Sequence, residues 1–171
     1  MCDVKGWVKM LAPYKYLEFS KVIVFTGERM DNIENVYECL EGVVENYDAI
    51  HDYLNDIKYD TSNSDETSLA LIPEYWFCPK EQVEFIKTIM QRQKDFSITI
   101  VIFTASPYTV EAVEVMTRNL GLDTKFYLLK ETGDLVSEYD IVEVKIENLE
   151  EIYKTFSDPF QTLENMRCEG E

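Results

Sequence analysis

The sequence predicts an α/β domain: a mainly parallel sheet flanked by helices, with an antiparallel strand at one edge. Three observations carry that expectation. Short, continuous apolar runs, the signature of strands buried on both faces, alternate with segments whose apolar residues recur at three- and four-residue steps. Helix punctuation falls between the runs, with Pro79 and Ser106-Pro107 at openings and Gly121 at a stop. The last two apolar runs are joined through Thr132, Gly133 and Asp134, turn residues suited to a hairpin. Strands alternating with helices build a parallel sheet.

Lys21 to Thr26, with its Val-Ile-Val-Phe centre, reads as the first strand. A helix follows, because Ile33, Val36, Tyr37, Leu40, Val43 and Val44 form one stripe while Glu34, Glu38, Glu41 and Glu45 lie toward water. Tyr47, Ile50, Leu54 and Ile57 repeat the spacing and predict a second short helix. Asp60 to Thr67, DTSNSDET, is polar throughout and reads as an exposed linker. Leu69 to Ile72 is the next strand, and Pro79 opens a helix with Val83, Phe85, Ile86, Ile89 and Met90 on its core face. Ile98 to Phe103 is the most apolar strand; Ser106 and Pro107 then cap a helix that runs to about Leu120. Lys125 to Lys130 and Ile141 to Ile146 are the hairpin strands, followed by a helix near Asn148 to Phe156 and another started by Asp158 and Pro159. Arg167 to Glu171 reads as a disordered tail, and residues 1–171 as one domain without internal repeats.

Composition narrows the function classes. The 171 residues hold 33 Asp and Glu against 16 Lys and Arg, a net charge of −17, so direct nucleic-acid or anionic-membrane binding is disfavoured: gripping phosphate takes clustered cations. With 46% hydrophobic residues the chain has enough apolar surface for a core, unlike a disordered acidic tail. Cys2, Cys39, Cys78 and Cys168 form no CxxC pair and read as reduced thiols of a cytoplasmic protein. Lys9, Pro13, Lys15 and Glu18 interrupt any leader-like apolar run, and no run approaches a membrane span of about 20 residues.

Ligands in such folds gather where strands turn into helices. The first such segment, VIVFTGERMDNIENVYECL from Val22 to Leu40, resembles the Walker A region of the ABC class of ATPases, in particular the SMC-like and OLD-like branch, VITGENGSGKSNLLEAL. The second, LALIPEYWFCPKEQVEFIKTI from Leu69 to Ile89, resembles that family's Walker B strand and following helix, LLLLDEPELHLHPKLQREFIKLL. The third, IVIFTASPYTVEAVEVM from Ile100 to Met116, resembles the switch segment VIITTHSPYILEAL. Three segments occur in the family's order on matching elements, and the tail from Ile152 to Asn165 is also similar. The resemblance implies a P-loop NTPase-like core without the helical signature lobe: the stretch between the first helix and the Walker B-like strand is too short to hold one.

The matching residues flank the chemistry; the chemistry itself is missing. A phosphate loop needs glycines so that backbone N–H groups can approach the phosphates, a lysine to neutralise them, and a hydroxyl for magnesium. On the resemblance, Gly27 remains, two glycines become Met30 and Asn32, the lysine becomes Ile33 and the hydroxyl Glu34. A carboxylate about 5 Å from a phosphate charge at an effective dielectric of about 20 opposes binding by roughly 3 kcal/mol per unit charge. The acidic pair that would hold magnesium and activate water falls on Leu71 and Ile72, and the switch histidine on Ala105. The implied protein is a pseudo-ATPase, with no catalytic residue, cofactor or metal, whose old nucleotide site now only packs.

Such a chain acts by binding another protein. The resemblance points to an active ABC-class ATPase or a genome-defence or DNA-maintenance component as partner, and leaves a homo-oligomer open. Candidate interface residues are Arg29, Met30, Asp31 and Asn32 on the first turn, and the aromatic block Tyr75, Trp76 and Phe77 on the second. Two alternatives stand beside it: an acidic decoy that imitates a duplex's phosphates, and a nucleotide sensor or hydrolase with an altered site. Glu28, Glu34 and Glu74 could converge as a carboxylate cluster. His51, among Asp48, Asp52 and Asp56, reads as part of a solvated polar face.

Overall fold

The computed structural model describes residues 22–41, 47–49, 67–72, 78–96, 99–132 and 139–157. Among the described residues there are six strands: β1 (Val22–Thr26), β2 (Tyr47–Ala49), β3 (Thr67–Ile72), β4 (Thr99–Thr104), β5 (Thr124–Glu131) and β6 (Tyr139–Val144). They form one sheet in the order β2-β3-β4-β1-β5-β6. Every neighbouring pair is parallel except β5 and β6, which run antiparallel. The fold is thus a mixed, mostly parallel α/β sheet with its antiparallel strand at one edge. The helices are α1 (Met30–Glu41), α2 (Pro79–Phe96) and α3 (Pro107–Leu120); Ile146–Asn148 form a 3-10 turn, and residues 150–157 are helical.

The three central strands are apolar because both of their faces are covered. Val22 and Val24 of β1, Ile100 and Ile102 of β4, and Phe126 and Leu128 of β5 join a cluster with Ile86 and Met90 of α2, Val110 and Val113 of α3, and Ile152. The alternate residues Ile23, Phe25, Val101, Phe103, Tyr127 and Leu129 pack on the other face with Ile33, Val36 and Tyr37 of α1. Period-two side-chain alternation on a strand thus feeds two helix layers. Phe25 lies in register with both Phe103 and Tyr127 and stacks on each, with ring centroids 5.4 Å and 5.2 Å apart. Tyr37 meets Phe103 edge-on at 5.3 Å, so an aromatic row spans three strands under α1.

The helix ends follow local chemistry. Cys78 N–H donates to Glu81 Oε2 at 2.9 Å just ahead of Pro79, half of a capping box, and this bond holds the exposed Glu81 carboxyl below its ordinary value. Gly121 closes α3 in the left-handed region, φ 65°, where a side chain would be strained. Lys94 Nζ donates to Leu120 O at 3.0 Å and ties the end of α2 to that of α3. Among the described residues, no helix is long and apolar enough to cross a membrane.

One sequence expectation is overturned. The segment beginning at Tyr47 does not start a helix: Tyr47–Ala49 pairs in parallel with Thr67, Ser68 and Leu69 as the outermost strand. Its helical spacing rested on three later residues, Ile50, Leu54 and Ile57, which lie outside the described set. Several boundaries also move, with β5 running from Thr124 to Glu131 and β6 beginning at Tyr139. Thr67 belongs to β3 rather than to the linker, and Ile146 to the 3-10 turn rather than to β6. The expected helix from Asp158, the tail from Arg167, and His51 lie outside the described residues.

Candidate functional site

The strand order places β3, β4 and β1 side by side, all pointing the same way. Thr26 is level with Thr104, and Thr104 with Ile72, so the three strands end together. The turns that follow β1 and β4 therefore open along one edge of the sheet. After β1 the chain enters α1 on one face, and after β4 it enters α3 on the other. Neighbouring strands whose connections leave on opposite faces create a crevice between their ends, the usual ligand position of an open α/β sheet. Here that position lies between Gly27 and Ala105.

The first turn is short. Only Gly27, Glu28 and Arg29 separate β1 from α1, and Met30, Asp31, Asn32 and Ile33 are helical. Ile33 N–H donates to Arg29 O at 3.3 Å, so its donor is committed to the helix. The stretch that the Walker A resemblance aligns with a glycine-rich loop is thus a helical turn. Ile33 is 0% exposed and shares its buried cluster with Ala105. Glu34 is half-buried on α1, and Leu71 and Ile72 are the last two residues of β3.

Gly27 is buried, and packing calls for a glycine there. A Cβ placed on it would stand 3.0 Å from Leu129 O and 3.2 Å from Leu129 Cβ, so the glycine permits the close approach of β5. Its backbone is not in the left-handed region.

The turn between β4 and α3 is held by side chains. Ser106 and Thr109 both donate to Gln82 Oε1 of α2, Thr109 at 3.1 Å, and all three residues are buried. Ser106 sits at the N-cap of α3 but makes no side-chain cap bond; its backbone N–H donates instead to Thr104 Oγ1 at 3.0 Å. The expected N-cap is present in position, while its hydroxyl serves a contact between helices.

Beside the first turn, between the ends of β1 and β5, lies a cavity of about 290 Å³. Glu28, Arg29 and Asn32 line one side, Leu129, Lys130 and Glu131 of β5 the other, and Thr155 closes it. Arg29 Nε is 3.3 Å from Glu131 Oε1, and Lys130 Nζ is 3.6 Å from Glu151 Oε2. Of the first-turn interface candidates, Arg29 and Asp31 are exposed, Met30 packs partly against the core, and Asn32 is only 2% exposed. Tyr75, Trp76, Phe77 and Glu74 lie outside the described residues, so their convergence with this turn has no structural account. Among the described residues, no three His, Cys, Asp or Glu side chains gather as a metal-binding group. Sequence reasoning missed Gln82 and the β5 wall of the cavity. Nothing local in Leu129-Lys130-Glu131 marks it as a neighbour of Gly27; that depends on which strand sits beside β1.

No protein-family model matches the chain, and no curated protein matches it.

Proposed function

We propose that this protein is a catalytically inactive, minimal ABC-ATPase-like core that acts by binding another protein. One observation carries the reading: where the resemblance calls for a phosphate-gripping loop, the chain runs straight into α1, and Ile33 at the lysine position packs in one buried cluster with Ala105 at the histidine position. A helical turn commits the N–H of Ile33 to Arg29, and an isoleucine offers no charge to a triphosphate. The level ends of the adjacent strands β1, β4 and β3 support the relationship to that ATPase class. The loss of charge at the positions that would do chemistry supports inactivity.

Calorimetric titration of the full chain with ATP and GTP, with and without magnesium, tests this reading. The expected result is no micromolar affinity. Affinity that strengthens with magnesium would overturn it and favour an altered nucleotide site. The partner is sought by purifying the chain from its native cell and identifying what co-elutes, with an active ATPase of the same class as the expected catch. Recovery of only nucleic-acid-binding proteins, released by modest salt, would favour an acidic decoy instead.

A further inference from the structure

We draw no further inference here: the strongest candidate, the exposed surface patch that Tyr108 and Val115 form on one face of α3, carries nothing because nothing in the structure shows what covers it.

Discussion

Ser106 Oγ donates to Gln82 Oε1 across the gap between α3 and α2, and both residues are buried. Two helices that follow different strand ends are thereby fastened at the edge where the turns meet. Because Thr109 shares the same acceptor, Gln82 satisfies two hydroxyls at once.

That arrangement predicts an asymmetry. Gln82→Met leaves two buried hydroxyls without their acceptor and should destabilise the fold by about 2–3 kcal/mol, while Ser106→Ala, which leaves Thr109 on Gln82, should cost about 1 kcal/mol. Urea unfolding of the two variants and their double mutant measures the coupling. Additive losses would show that the contact does not act as a unit.

Ile33→Lys restores the residue type that the ATPase resemblance calls for. The side chain enters a site with 0% exposure among Val36, Phe103 and Leu129, so the expected outcome is a loss of more than about 3 kcal/mol with no gain in ATP affinity. Thermal unfolding and calorimetry together check it; a stable variant that binds ATP would reveal a dormant site.

Gly27→Ala should destabilise by about 1–3 kcal/mol, since its Cβ meets the Leu129 carbonyl, which is backbone and cannot swing away. Glycine here is kept by β5. An alanine variant with unchanged unfolding midpoint would remove that explanation.

Tyr153 OH donates to Glu114 Oε2 at 2.7 Å, and Arg118 holds the same carboxylate through Oε1 at 3.0 Å. Burial first, and then the bond to Glu114, push the Tyr153 hydroxyl well above its ordinary value. The folded state therefore keeps a proton that the unfolded chain releases above about pH 10, so stability from this group is fully present below that pH and declines as pH rises beyond it. Tyr153→Phe should cost about 1 kcal/mol at neutral pH and flatten the alkaline decline. Unfolding curves from neutral to alkaline pH for both proteins decide it.

Much of this fold was legible because strong local patterns and long-range burial agree. The apolar runs at β1 and β4, the stripe on α2, and Gly121 as a helix stop all sit where the sequence expected them, within a residue or two. Tyr47–Ala49 was misread because three residues paired with Thr67–Leu69 carry no period of their own; a parallel neighbour made them a strand. Ser106 shows the same limit at a cap. Its position follows from Pro107, but its hydroxyl found Gln82, twenty-four residues earlier in the chain.

The sequence by itself determined which segments have a face to bury, where helices start and stop, and which residue types stand at the three turns, because these depend on neighbours a few positions away. Only the tertiary structure decided that β4 lies between β1 and β3, that Leu129 presses on Gly27, and that Glu28 and Asn32 line one cavity with Glu131. Those facts follow from strand order, and strand order is set by how whole faces pack together once the chain has folded.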